Sequence, residues 1–139
     1  MLTQEFCDDV NERLKNTMLG AMGIRFLPTD EDIILAEMPI CDATRQYFGI
    51  LHGGASLAMA ESVAGLGSLY LVNDEKIVCG AQVTGNHIAM SATEGKVYAR
   101  ATCLHADRTS HVWNVDIVGE DGKLISTERV TNYILPKKQ

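Results

Sequence analysis

Apolar positions in this chain recur with two periods. Phe6, Val10 and Leu14 stand four residues apart, which predicts an acidic amphipathic helix over about residues 3–16. Thr17 to Gly23 reads as a short irregular or helical connection. Ile24–Leu27 and Asp32–Met38 read as strands around the turn Pro28-Thr29-Asp30-Glu31. A loop from Pro39 to Leu51 leads into an almost wholly apolar run, Gly53 to Val72, with Glu61 as its single charge. That run predicts a long helix ending near Asn73-Asp74 and, being apolar all round, buried on all sides. Four strands are predicted after it, at about residues 76–89, 95–105, 110–118 and 123–135. Lys96 to Cys103 alternates strictly between an apolar and a mixed face. Gly119-Glu120-Asp121-Gly122 is a strong hairpin signal. The order helix, two strands, long helix, four strands predicts an α+β fold, a mostly antiparallel sheet wrapping the long helix. No repeat or linker divides it, so residues 1–139 are expected to form one domain.

The long apolar run is the one feature that resembles a membrane span. Glu61 near its centre, the lack of a basic flank and the packed-domain pattern elsewhere argue against that. Net charge is −6 and no basic block occurs, which argues against nucleic acid or an anionic membrane as partner. A small anionic ligand stays open, because a few local Arg or Lys outweigh the global sign. Cys7, Cys41, Cys79 and Cys103 are widely spaced with no C-x-x-C pair, which reads as free thiols in a reducing cytoplasm. The acidic start M-L-T-Q-E-F-C-D-D has no signal-peptide core. No H-E-x-x-H and no close Cys pair point to a metal.

The candidate chemistry lies in Gln46 to Ser62, Q-Y-F-G-I-L-H-G-G-A-S-L-A-M-A-E-S. Glycines at a helix start leave forward-pointing N–H groups, a ready site for an oxygen carrying negative charge. His52 and Gln46 neighbour that end. Glu61 is expected to be buried, and a buried carboxylate is costly unless paired or used. It lies eight residues after Gly53, roughly 12 Å along the helix axis, too far to share a reaction centre in one chain. Either the two features do separate jobs or a second chain completes the site: two antiparallel helices in a two-fold dimer would bring Gly53 of one copy to Glu61 of the other. Plainer roles stand beside these: Glu61 as a structural partner in a dimer core, His52 as a helix cap, His87, His105 and His111 as packed strand residues.

The pattern H-G-G-A-S-x-x-x-A-E-S, preceded by Gln46 and Phe48-Gly49, resembles the hotdog-fold acyl-CoA thioesterases. The nearest branch contains phenylacetate-pathway thioesterases and 1,4-dihydroxy-2-naphthoyl-CoA hydrolases. The resemblance runs over nearly the whole chain, through Asn86-His87 and His105-x-x-Arg108-x-x-x-Val112-Trp113. It implies the hotdog fold and hydrolysis of acyl-CoA thioesters, with an aromatic or hydroxyaromatic acyl group expected. It implies Glu61 as nucleophile or general base, the Gly53 N–H as the carbonyl-polarising donor, and His52 and Gln46 as orienting groups. His87 matches a pocket position, and Arg108, Ser110 and His111 fall in a segment that contributes to the CoA groove. Gly65 stands where many relatives carry Ser or Thr, and Asp107 where the family often has Gly. No metal or cofactor is implied, CoA being part of the substrate. A cytoplasmic homodimer, assembled as a dimer of dimers, is expected. A hydroxyacyl-thioester dehydratase and a non-catalytic acyl-thioester-binding protein are the competing readings.

Overall fold

A computed structural model describes residues 2–73 and 75–138. Helix α1 spans Gln4–Leu14, and the Thr3 side chain caps it by accepting from the Phe6 N–H. A short helix α2, Met18–Met22, fills the connection and ends at Gly23, whose φ of +76° suits a left-handed stop. Strands β1 (Arg25–Leu27) and β2 (Ile34–Pro39) follow, then α3 (Gly53–Leu71), then β3 (Lys76–His87), β4 (Lys96–Ala106), β5 (Ser110–Gly119) and β6 (Leu124–Pro136). Asp74, where the long helix was expected to end, lies outside the described residues; α3 stops at Leu71.

The six strands form one antiparallel sheet in the order β1-β2-β4-β5-β6-β3. The hairpin at 119–122 is present, with Gly122 at φ +82° and the Gly119 N–H bonded to the Lys123 carbonyl. The core is the sheet's inner face against α3: Met38, Val97, Ala99, Val115, Ile117 and Val130 meet Met59, Ala60, Val63 and Ala64. Gly67 permits the closest approach, since a Cβ there would lie 2.5 Å from the Trp113 ring.

One sequence expectation fails. The sheet covers a single face of α3, and Gly54, Glu61 and Leu69 on the other face are exposed in the single chain. The helix is apolar all round, but one sheet supplies one surface, so the second face has no cover among the described residues. The two edges of the sheet differ as well. At β1 the Asn11 side chain substitutes for a missing strand, donating to the Phe26 carbonyl and accepting from its N–H. At β3 eleven of the twelve residues pair with β6, and the strand's other side has no partner among the described residues. No helix of the described residues is long and apolar enough to cross a membrane.

Candidate active site

The start of α3 is built as the glycines predict. His52 is the N-cap, and its Nδ1 accepts from the Gly54 N–H at 2.7 Å. That fixes Nδ1 as the unprotonated nitrogen while the bond is made. The Gly53 N–H has no partner among the described residues and faces outward from the helix end. His87, at the end of β3, lies against Gly53 so closely that a Cβ there would sit 2.7 Å from Nε2. Gln46 is brought alongside by a pinned loop. Buried Thr44 donates to the Pro39 carbonyl, its own carbonyl accepts from the His52 N–H, and Arg45 donates to the Thr93 and Ile40 carbonyls. The Gln46 Oε1 accepts from the Phe48 N–H, which leaves its amide N–H groups for a ligand. Gln46, Gly53, Ser56, His87 and Met90 line one cleft of about 340 Å³.

Glu61 is not in that cleft. It projects from the uncovered face of α3, so the expectation of a carboxylate buried within the chain is corrected here. Its carboxylate lies over β3 at Gly80, where a Cβ would come within 2.6 Å of Oε1. The β3–β6 register slips between Gly80 and Gln82, a bulge that bends the edge strand at this point. Gly65, one turn further along, faces open space, with nothing within 4 Å of where a Cβ would be.

Arg108 and His111 come together elsewhere, with Asn73 and Lys76, around a cleft of about 650 Å³ at the C-terminal end of α3. His111 is only 3% exposed. Ser68 Oγ accepts from Trp113 Nε1 and Asn132 Nδ2, which uses both its lone pairs. Its proton therefore goes to His111 Nδ1 at 2.9 Å, and the imidazole is neutral with its hydrogen on Nε2. Burial pushes the His111 pKa down in the same sense. Ser110 belongs to the turn organised by Asp107, whose Oδ1 accepts from the Thr109 and Ser110 N–H groups. His105 bonds the other carboxylate oxygen at 2.9 Å. Those bonds, the one from His105 foremost, hold the Asp107 carboxyl well below the usual range. The Asp107 carboxylate is thus consumed in shaping the turn beside Arg108.

Sequence reasoning missed a second carboxylate. Glu128 on β6 is 1% exposed, accepts from Ser126 Oγ at 2.8 Å, and its Oε2 has no hydrogen-bond partner among the described residues. Val130 and Ile134 point inward, and a period of two carried back from them puts Asn132, Glu128 and Ser126 on the same face. That parity was the available signal. No cluster of His, Cys, Asp or Glu among the described residues has a metal-binding arrangement, and all four cysteines are free thiols.

A six-stranded antiparallel sheet around one long helix, with a glycine-rich helix start facing a cleft, is the hotdog architecture of thioesterases. The chain belongs to the thioesterase superfamily, whose pattern matches residues 48–126. It is a thioester hydrolase by family. Among its relatives is the 1,4-dihydroxy-2-naphthoyl-CoA hydrolase of Escherichia coli K12, 36% identical over 126 residues, 91% of this chain and 92% of that one. Crystal structures of thioesterase HI1161 from Haemophilus influenzae and of a mutant of thioesterase PA1618 from Pseudomonas aeruginosa both superpose with a TM-score of 0.90. The first is 34% identical and covers 98% of this chain and 92% of its own; the second is 35% identical and covers 94% of each.

Proposed function

We propose that this protein hydrolyses aromatic or hydroxyaromatic acyl-CoA thioesters in a site shared by two chains of a homodimer, itself paired into a dimer of dimers in the cytoplasm. The observation that carries this is the free Gly53 N–H beside Gln46 and His87, with Glu61 two turns away on an uncovered helix face. A thioester carbonyl at Gly53 has its oxygen polarised by that N–H, aided by the Gln46 amide, and a donor of this kind contributes about 2.7–4 kcal/mol in the transition state. The partner copy's helix, running antiparallel, brings its carboxylate to the same carbonyl. Acting as general base, that carboxylate takes a proton from water; the water oxygen bonds to carbon, the C–S bond breaks, and the proton passes to the departing thiolate. Acting as nucleophile, its oxygen bonds to the carbonyl carbon and the C–S bond breaks with loss of CoA thiolate, giving an acyl anhydride that water opens to the free acid and the regenerated carboxylate.

His52 orients the helix start and His87 flanks the acyl group. Gly65, on the face opposed to the partner, leaves that side of the pocket wide. Arg108 and Lys76, with Ser110 and His111 in the same segment, supply cationic and polar contacts for the CoA phosphates. In an antiparallel pair they lie roughly 15–18 Å beyond the partner's shared site, the rise of ten to twelve helical residues. The reaction needs no metal or other cofactor, because a thiolate is a good leaving group. The aromatic preference rests on similarity to the naphthoyl-CoA hydrolase and on the polar groups around Gly53. The test is release of free thiol from benzoyl-, hydroxybenzoyl-, naphthoyl-, hexanoyl- and palmitoyl-CoA. Highest kcat/KM on the aromatic thioesters is expected, and a clear preference for palmitoyl-CoA overturns the acyl assignment.

A further inference from the structure

Glu128 has no role in the chemistry above, yet its surroundings are built for it. Its register partner on β3 is Gly85, where a Cβ would lie 2.8 Å from Glu128 Cγ and 2.9 Å from Leu57 Cδ2. Glycine at that position is what leaves room for the Glu128 side chain. Its partner on β5 is Val115, which offers no hydrogen bond. Ser126, which donates to Oε1, stands opposite His87 in the same β3–β6 ladder, and Ile125 beside it lines the cleft at Gly53. The Glu128 position is therefore two residues back along the ladder from the cleft residue His87, with Leu57 packed against Gly85 beside it.

Burial favours the neutral acid and raises the Glu128 pKa to about 7. With Oε1 accepting from Ser126, the acid proton belongs on Oε2, the oxygen without a partner. An O–H aimed at nothing in an apolar surrounding is a cost the fold would shed by substituting an apolar residue. A ligand oxygen that accepts this proton removes the cost. This inference rests on the acyl-CoA reading of the cleft and narrows it.

We infer that Glu128 is a specificity-determining residue, a carboxyl donor at the inner end of the acyl cleft that selects acyl groups bearing an acceptor oxygen away from the thioester. A hydroxyl or keto group several atoms from the carbonyl reaches it once Leu57 turns aside, and a plain hydrocarbon leaves it unpaired.

The experiment compares matched pairs, 4-hydroxybenzoyl- against benzoyl-CoA and 6-hydroxyhexanoyl- against hexanoyl-CoA, in wild type, Glu128→Gln and Glu128→Met. The readout is the ratio of kcat/KM within each pair. Wild type should favour an oxygenated member at least about fivefold, the loss of one neutral hydrogen bond. Glu128→Gln, which keeps a donor, should retain most of that ratio, and Glu128→Met should bring it close to one. Binding of the non-hydrolysable 4-hydroxyphenacyl and phenacyl thioethers of CoA is measured in parallel by calorimetry. If thiol release is absent but the binding ratio follows the same order across the variants, the hydrolase reading falls and this inference stands. Equal ratios in wild type and Glu128→Met, in turnover and in binding, overturn it.

Discussion

Gly80 and Glu61 give the sharpest prediction at the scale of single residues. A methyl group at position 80 meets the far end of the Glu61 side chain and no backbone atom, so the carboxylate can move aside at little cost to the fold. Gly80→Ala should therefore leave the melting temperature within a few degrees while lowering kcat at least about tenfold, because a misplaced base loses most of its 10²–10⁴-fold contribution. Glu61→Gln removes the group itself and should lower kcat further with the same intact fold, since the side chain is exposed in the chain. Unchanged kcat in both variants would exclude Glu61 from the chemistry. Glu128 supplies the pH prediction. Its folded pKa is raised to about 7 from an ordinary 4.5, so the unfolded chain loses the proton first as pH rises. Stability from this group is intact below pH 4.5, falls between 4.5 and 7, and is flat above. Glu128→Gln has no proton to lose, so wild type should weaken relative to it by about 2–3 kcal/mol between pH 4.5 and 8. Denaturant melts of both proteins at the two pH values measure the difference directly.

At the scale of elements, α3 is fastened to the sheet by a polar knot as well as by apolar packing. Ser68 joins Trp113, His111 and Asn132, three side chains on two strands, and Asn132 also donates to the Ala64 carbonyl. Ser68→Ala leaves an indole N–H and an imidazole nitrogen without partners in a buried site, and should cost about 2–4 kcal/mol in urea unfolding. A loss below about 0.5 kcal/mol would mean that water or a side-chain rotation replaces the hydroxyl. Much of this architecture was legible from the chain. The apolar run from Gly53, the alternation from Lys96 and the 119–122 turn each fix an element through its own local chemistry. The glycine helix start and the distance from Gly53 to Glu61 follow from helical rise alone. The exposure of Glu61 was not legible, because an all-apolar helix reads the same whether its second cover is its own sheet or another molecule. Glu128 and the Ser68 knot escaped for a related reason. Polar residues at inward positions of β6 obey the alternation, but their partners come from α3, β3 and β5, whose register is a property of the folded sheet.

At the scale of the whole molecule, the unsolved surface is the uncovered face of α3 together with the free edge of β3. Leu69 on that face and Ile77 at the start of the edge strand are exposed there, beside a twelve-residue strand with an open ladder. The opposite edge is short and closed by Asn11, so one side of the sheet is finished and the other is not. A second copy meeting this face across a two-fold axis would cover the apolar stripe, extend the sheet and bring each Glu61 to the other chain's Gly53. That arrangement makes a prediction no single-chain site can satisfy. Gly53→Pro removes the amide donor and presses on His87, so all its damage lies in one half of a shared site. Proline is compatible with this first helical position, so α3 should still form. Glu61→Ala damages only the other half. Each variant alone should be inactive. After subunit exchange, a mixed dimer has one site with both defects and one with neither. With random pairing half the dimers are mixed, so the mixture should recover about a quarter of wild-type activity. Recovery is read as thiol release after co-incubation, with exchange followed by native mass spectrometry. Complete exchange without recovered activity would show that Gly53 and Glu61 act in separate sites, and the two-chain mechanism would have to be abandoned.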